Sequence, residues 1–509
     1  MANPLAKKRS SFFEPVIDFF KGFHKRFVDG SLGVKLSHFI CGAGNLYHKQ
    51  IVKGILFLLL QALFIFFMIY CPEVNGTPFG YKALGNLVLQ GTEGGIQIVN
   101  GRPVNLPPSN SVLMLLFGIV TIGVIAVYFI IWFSNIKSAE LADLAVEQGR
   151  KPSSFADDCK SLLDDRFHVL MLTPTLVACL IFTIIPTIFM ISMAFTTYNT
   201  IDMKIAQTNL FHWNGLDNFV NMFTGGTTLG AEIKNRFIPV LIWTMVWAVF
   251  ATFSCYFGGI ILAILINKKG VKGKKIFRTV FIMTIALPTF ISLLAVRNLL
   301  NSNGPVNSML MNLGWIDEPI SFFQLNSFDN EPMIARVMVI IINMWVGIPY
   351  TMLMTSGILM NIPTDLYEAA TVDGASKMKM FFKITLPYII FVTTPYLIGS
   401  FIGNINSFNI IFLLTGGGPA IPGSMYSAGQ TDLLVTWLYK LTITDGQYNT
   451  GAVVGILTFA ITSTITLLTY RNSKAYKEED TFQWSKVLKS QLLDIRQRRT
   501  CQLQLLMLY

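Results

Sequence analysis

Uncharged hydrogen-bonding side chains are the groups best placed to do chemistry in this 509-residue sequence, since they interrupt otherwise apolar segments. Ser400, Asn404 and Ser407 are spaced i, i+4, i+7, so in a helix they would share one face. Asn343 and Gly347 are also one helical turn apart. Amide and hydroxyl groups bind the hydroxyls of an uncharged solute such as a sugar. They also join helices to each other within a membrane, and the residues alone leave both interpretations open.

The residue types that catalyse reactions are not arranged for catalysis. The five histidines form no H-E-x-x-H pattern, and no pair of carboxylates falls within an apolar segment. The phosphate-binding pattern G-x-x-x-x-G-K-[ST] is missing, so the chain does not hydrolyse ATP by that mechanism. A membrane enzyme is therefore disfavoured, and we expect no catalytic residue, no cofactor and no metal site.

A secondary transporter that works alone is disfavoured by the distribution of charge. An ionisable group inside a membrane marks a path for a proton, an ion or a charged solute. Here the apolar segments after residue 169 contain almost none, and Arg297 and Arg336 lie towards segment ends. Such transporters also carry inverted repeats, for which the sequence offers no convincing sign.

Long apolar segments position these residues. Hydrophobic residues make up 52% of the chain and charged residues 13%, whereas a soluble domain averages about 25% charged residues. A membrane-spanning helix needs about 20 mostly apolar residues. The sequence therefore predicts an all-α, polytopic membrane protein with about eight transmembrane helices. The predicted spans are Ile51–Tyr70, Val112–Phe133, Val169–Phe195, Phe237–Ile266, Val280–Leu300, Val337–Met360, Ile389–Ile410 and Gly451–Tyr470.

Basic residues predict the topology of these spans. The formal net charge is +11, and Lys and Arg concentrate in alternate connecting segments, one of which, Lys268–Arg278, has no acid at all. By the positive-inside rule these segments and both termini are cytoplasmic. The basic charge thus indicates membrane topology rather than nucleic-acid binding. The external loops are expected to be short and polar, the longest being Thr196–Arg236.

Five parts are predicted along the chain. An amphipathic helix, Ser11–Phe27, is expected to lie on the membrane or on the protein's own cytoplasmic face. No role is predicted for residues 484–509. The parts are a cytoplasmic N-terminal region (1–50), two additional transmembrane helices (51–133), a cytoplasmic linker (134–168), a six-helix core (169–470) and a cytoplasmic tail (471–509).

The connection between the sixth and seventh spans predicts a cytoplasmic helix–turn–helix. Thr364 or Asp365 is suited to cap a first helix, and Gly374 to end it in the left-handed conformation. Ser376 is suited to cap a second helix, Lys377–Ile384, and a proline follows in the first turn of span seven. An ordinary loop helix on the membrane surface would use the same signals.

This segment, residues 362–387, resembles the EAA loop of ABC-importer permeases. The pattern E-A-A, three residues, G, nine residues, I-x-L-P is matched in full. The resemblance implies a MetI-like permease core. It also implies that the loop sits in a cleft of a separate cytoplasmic ATPase and moves with it as ATP is hydrolysed. The matching residues are Glu368, Ala369, Ala370, Gly374, Ile384, Leu386 and Pro387.

Further stretches are similar to the maltose/maltodextrin, or MalF-type, branch of that family. These stretches are Trp213–Phe219, Ile342–Tyr350, Thr415–Pro419 and Thr431–Val435. The resemblance implies a maltodextrin-type sugar as cargo, with a raffinose-like or multiple-sugar permease as the alternative. It also implies the bacterial cytoplasmic membrane as location. The implied partners are a second, MalG-like permease subunit, two copies of the ATPase and an extracytoplasmic sugar-binding protein.

The same resemblance implies which residues contact the sugar. Ile285 and Gly403 stand where the family has aromatic residues, and Ser407 stands where it has an amide, so the length and linkage of the sugar are left open. The implied substrate path is formed by Asn343, Val346, Gly347, Asn404, Ser407, Thr289 and Ile285.

Overall fold

The computed structural model describes residues 26–89, 95–99, 102–106, 109–199, 210–268, 270–323, 332–421 and 428–472. The tail and nearly all of the predicted amphipathic helix lie outside these residues. The helices are α1 Leu32–Ser37, α2 Ala43–Tyr47, α3 Ile51–Tyr70, α4 Gly80–Leu89, α5 Ser111–Glu147, α6 Phe155–Leu163, α7 Phe167–Cys179, α8 Ile185–Met193, α9 Asp217–Thr224, α10 Thr228–Asn267, α11 Lys274–Ala286, α12 Thr289–Leu299, α13 Pro305–Asn312, α14 Pro332–Met360, α15 Thr364–Val372, α16 Lys377–Met380, α17 Leu386–Ile405, α18 Asn409–Thr415, α19 Leu434–Tyr439 and α20 Tyr448–Asn472.

The predicted all-α, multi-span fold is confirmed. Seven helical segments of the described chain are long and apolar enough to cross a membrane, and α11 with α12 makes an eighth candidate bent by 95°. The first, Ile51–Tyr70, has the predicted bounds. Others extend beyond the membrane: α10 has 40 residues, which at 1.5 Å per residue is about 60 Å, twice the roughly 30 Å of a hydrocarbon core.

Prolines interrupt the regular α-helix in three of the spans. The predicted segments did not include these interruptions. Between α11 and α12, Leu287 is extended, as residues before proline usually are, and Pro288 begins a new helix direction. In two other spans a π-helical turn, Leu180–Ile184 or Phe381–Thr385, comes directly before an X-Pro pair. The wider turn accommodates the proline ring, which would otherwise collide with the carbonyl four residues earlier.

The predicted seventh span, Ile389–Ile410, is wrong at its end. Helix α17 stops at Ile405, and α18 starts only at Asn409. Ser407 lies between them, so it does not share a helical face with Asn404. The polar run from Asn404 to Asn409 competes for backbone hydrogen bonds and favours this break. The predicted external loop Thr196–Arg236 is also shorter than expected, because α9 and the start of α10 fall within it.

Two antiparallel hairpins lie between α3 and α5, where a polar loop was predicted. Strands β1 (Glu73–Val74) and β2 (Thr77–Pro78) pair with each other, as do β3 (Gly95–Val99) and β4 (Arg102–Leu106). The first turn is an Asn-Gly pair with positive φ angles at both residues, which is the strongest short-range hairpin signal. A second Asn-Gly pair, at 100–101, lies outside the described residues.

The chain forms two compact units, Met1–Gly215 and Leu216–Tyr509. In the first unit, Asn135 of α5 accepts a hydrogen bond from the Gly42 N–H (2.7 Å) and donates one to the Ser37 carbonyl (3.0 Å). These bonds attach the α1–α2 pair to α5. Helices α7 and α8, which correspond to the third predicted span, also lie in this unit.

Close approach of α10 and α14 organises the second unit. A Cβ on Gly259 would lie 2.5 Å from the Cβ of Thr351, and one on Gly347 would lie 2.6 Å from the Cys255 sulfur. Both distances are shorter than real Cβ contacts, so a side chain would force Thr351, or the Cys255 sulfur, to move. Small residues at helix crossings are the usual means of close packing within membranes.

A Gly259→Ala variant should therefore be overpacked at the α10–α14 crossing. We expect it to destabilise the protein by about 1–3 kcal/mol, measured as a lower thermal unfolding midpoint of the detergent-solubilised chain. Gly357→Ala in α14 is the matched control, because nothing lies within 4 Å of the added Cβ. Equal midpoints for the two variants would contradict the packing assigned to Gly259.

Candidate functional site

The segment between α14 and α17 folds as the predicted helix–turn–helix. Helix α15 ends at Val372, and Gly374 takes a left-handed φ of +74°, as expected. The Ser376 hydroxyl accepts a hydrogen bond from the Lys379 N–H (3.3 Å), which confirms it as the N-cap of α16. The predicted cap of α15 is wrong, since the helix begins at Thr364 without a side-chain cap.

Helix α15 has an exposed face that is partly apolar. Glu368 and Ala369 are exposed, as are Leu366 (46%) and Val372 (88%). Leu366, Ala369 and Val372 follow one another at three-residue spacing, so they form a stripe along this face. Exposed apolar residues grouped in this way are typical of a surface that another protein covers.

The opposite face of α15 attaches the loop to the next span. Tyr367 and Ala370 are half-buried. The Tyr367 hydroxyl lies 2.8 Å from the hydroxyl of Thr385, at the end of the π-helical turn. Pro387 falls in the first turn of α17, as predicted. Ile384 and Leu386 of the EAA pattern flank Thr385 and are half-buried. A displacement of α15 would therefore be transmitted to the start of α17.

Two of the predicted sugar-contacting residues bind α10. The side-chain amide of Asn404 donates to the Thr252 hydroxyl (2.9 Å), and the Trp247 indole donates to the Asn404 carbonyl (3.1 Å). The amide of Asn343 donates to the Ala251 carbonyl (3.4 Å). The structure thus brings Asn343 and Asn404 to neighbouring turns of α10, where their contacts join helices.

The other predicted sugar-contacting residues have different surroundings. Gly347 lies against α10 at Cys255, Val346 packs against the apolar core, and Ser407 is half-buried after the end of α17. Ile285 and Thr289 lie on either side of the Pro288 break and are exposed. Within the described residues, no hydrogen bond joins Ile285 or Thr289 to the Asn343–Asn404 group.

Two of the MalF-like stretches, after α18 and before α19, meet in one buried hydrogen-bonded cluster. The Thr415 and Thr431 hydroxyls lie 2.8 Å apart, and Thr431 donates to the Gly418 carbonyl (2.6 Å). A Cβ on Gly417 would lie 2.0 Å from a carboxylate oxygen of Asp432. The chain therefore needs glycine at this position, which explains the middle one of the three glycines before Pro419.

Asp432 is the charged centre of this cluster and is fully buried. Its carboxylate accepts from the Lys440 ammonium and from the Gly429 N–H, both at 2.6 Å. Burial raises the pKa of Asp432, while the charge of Lys440 acts in the opposite direction. This pair could not be predicted, because aspartate and lysine eight residues apart have no characteristic spacing.

Arg336 connects α14 to the same cluster. Its guanidinium lies 4.6 Å from the centre of the Trp243 ring, and its Nε donates to the Gln430 carbonyl (2.9 Å). The Trp243 indole donates to the Thr431 carbonyl (3.1 Å). A cation over an indole face is a favourable pair. The arginine is thus accounted for by packing and does not mark an ion path.

Known proteins with similar sequences are permeases. Residues 255–475 match the family described as "binding-protein-dependent transport system inner membrane component". The galactooligosaccharide permease GanP of Bacillus subtilis is 33% identical over 442 residues, covering 86% of this chain and 97% of GanP. The maltodextrin permease MalC of Streptococcus pneumoniae is 32% identical over 446 residues, covering 87% and 95%. The maltose/maltodextrin permease MalF of Escherichia coli is 36% identical over 264 residues, covering 51% and 49%.

The hydrogen bond between Asn404 and Thr252 allows a test of whether Asn404 stabilises the packing of α17 against α10. If the amide serves packing, Thr252→Val and Asn404→Ala should each lower the thermal midpoint through loss of one hydrogen bond, worth about 0.6 kcal/mol within a membrane. The double variant should then melt no lower than the less stable single variant. Additive losses would show that the two side chains act independently. This double-mutant cycle requires the thermal midpoints of the wild type, both single variants and the double variant.

Proposed function

This chain belongs to the family of binding-protein-dependent ABC-importer permeases, and from that premise we propose that it carries maltodextrin-type oligosaccharides across the cell membrane. Three observations support this cargo: similarity to MalC and MalF, uncharged amides and hydroxyls in the spans, and the packing of Arg336 against Trp243. A galactooligosaccharide is the second candidate, because GanP is as similar to this chain as MalC is.

The coupling role of the loop rests on the exposed face of α15. We assign Glu368, Ala369 and the apolar stripe beside them to contact with a cytoplasmic ATPase. That subunit would hydrolyse the ATP, because this chain lacks the phosphate-binding pattern. Closure of the ATPase would move α15, and the Tyr367–Thr385 contact would pass the movement to α17.

Alternating access would follow from the contacts of α17. Its amide at Asn404 holds α10, which is packed against α14. A shift of α17 would therefore change both the helix contacts and the polar groups offered to a sugar. On this mechanism Asn343, Val346, Gly347, Asn404, Ser407, Thr289 and Ile285 line the path in at least one of its two states.

The proposed assembly contains further subunits. A MalG-like permease would complete the path, two copies of the ATPase would supply energy, and an extracytoplasmic binding protein would deliver the sugar. Within this chain, residues 169–470 would form the six-helix core of the path, with both termini in the cytoplasm. Residues 51–133 would form two additional helices outside it.

Substitutions on the coupling loop should abolish uptake without loss of the protein from the membrane. Gly374→Asp and Glu368→Lys alter exposed positions, and a Cβ on Gly374 meets nothing within 4 Å. Labelled-sugar uptake should fall to the level of the deletion strain, while immunoblots of membranes show normal amounts.

Matched controls for these variants lie between α13 and α14. Gly314 also has a positive φ and open space for a Cβ, and Glu318 is also exposed. Gly314→Asp and Glu318→Lys should transport normally, since this segment is predicted to be external. Normal uptake by the two loop variants would refute the coupling assignment.

The cargo is tested by uptake in a strain deleted for this gene, with and without the gene restored. Labelled maltotriose and labelled galactotriose should be compared at equal concentrations. Loss and recovery of maltotriose uptake is the expected result. Recovery of galactotriose uptake alone would favour the second candidate and overturn the first.

A further inference from the structure

A cavity of about 690 Å³ lies within the first unit, Met1–Gly215. Its walls come from the start of α3, the second half of α5, helix α6 and the start of α7. The positive-inside rule places these helix ends on the cytoplasmic side of the membrane. The volume is within the range of known small-molecule sites, about 300–1,000 Å³.

The cavity lining has a polar, basic part and an apolar part. Leu56 and Phe57 at the start of α3 and Val169 at the start of α7 supply apolar surface, and Leu162 of α6 adds to it. Two lysines and one arginine also line the cavity, against a single carboxylate. The basic residues are Lys53, Lys137 and Arg166, and the carboxylate is Asp158.

Internal pairing neutralises only one of the three basic residues. Lys53 is buried, forms an ion pair with Asp158, and donates to the carbonyl (3.0 Å) and hydroxyl (2.9 Å) of Ser153. Within the described part of the chain, no carboxylate pairs with Lys137 or Arg166. Two basic residues without a paired carboxylate therefore line a cavity whose walls include the starts of two apolar candidate spans, α3 and α7.

We propose that this cavity binds an anionic phospholipid of the phosphatidylglycerol type. Lys137 and Arg166 would bind the phosphate, and Leu56, Phe57 and Val169 would contact the first methylene groups of the acyl chains. Basic pockets between transmembrane helices on the cytoplasmic side suit such headgroups. A soluble anion would use the two charges but would leave the apolar walls uncovered. The lipid matches both parts of the lining and would hold α3, α5 and α7 together.

The test is native mass spectrometry of the full-length chain titrated with phosphatidylglycerol or phosphatidylcholine. Wild type should retain phosphatidylglycerol preferentially. Lys137→Gln/Arg166→Gln should bind it about thirtyfold more weakly. The matched control is Arg150→Gln/Lys160→Gln, which removes the same charge from exposed residues of the same unit that do not line the cavity. This control should bind as wild type does.

Further measurements separate lipid binding from folding and from the binding of a simple anion. Lipid-free thermal midpoints of the two double variants should equal that of the wild type, so a change in binding is not a change in folding. Excess inorganic phosphate should not displace the lipid; displacement would point to a simple anion site and overturn the proposal. Equal binding by all variants, or equal retention of phosphatidylcholine, would also overturn it. Stronger lipid binding after deletion of residues 1–25 would identify that segment as the natural occupant instead.

Discussion

The close contact between α10 and α14 is the constraint on which the second unit depends. It requires glycine at 259, since a larger residue would collide with the Thr351 Cβ, and a Cβ at 347 would displace the Cys255 sulfur. A membrane offers no hydrophobic force between helices, so packing and hydrogen bonds must supply the attraction. Once α10 is held in this way, one stretch of it, Trp247–Cys255, can bind Asn343 on α14 and Asn404 on α17 together.

Amides and hydroxyls in this unit join helices, and the same chemistry would let them bind a sugar under the proposed function. The Asn404 side chain joins helices in the present conformation through a single hydrogen bond to Thr252. Under the proposed function that one bond could be exchanged for a bond to a sugar hydroxyl. The Asp432–Lys440 pair is different. Asp432 is fully buried, and removing either partner of such a pair leaves a charge without compensation. We therefore interpret the Asp432 cluster as a fixed support and the asparagine contacts as exchangeable ones.

Local signals in the sequence predicted local structure well. Gly374 and Ser376 end and begin helices as expected, because each acts on its own backbone. The break at Pro288 and the hairpin at Asn75-Gly76 were not predicted, although proline and the Asn-Gly pair are signals for both. The partner of Asn404 was beyond prediction, since Thr252 is 152 residues away in the chain. The EAA pattern predicted a coupling loop at residues 362–387, but only the structure separates the exposed Ala369 from the half-buried Ala370.

Cross-linking tests whether the exposed face of α15 contacts a cytoplasmic ATPase, as proposed. A single cysteine would replace Val372, which is 88% exposed, in a chain otherwise free of cysteine. A second variant would carry its cysteine at Trp315, which is 74% exposed in the segment predicted to be external. In membranes containing the whole importer, a short cross-linker should join the ATPase to the Val372→Cys chain alone. Failure to capture the ATPase from that position, or equal capture from Trp315→Cys, would contradict the account.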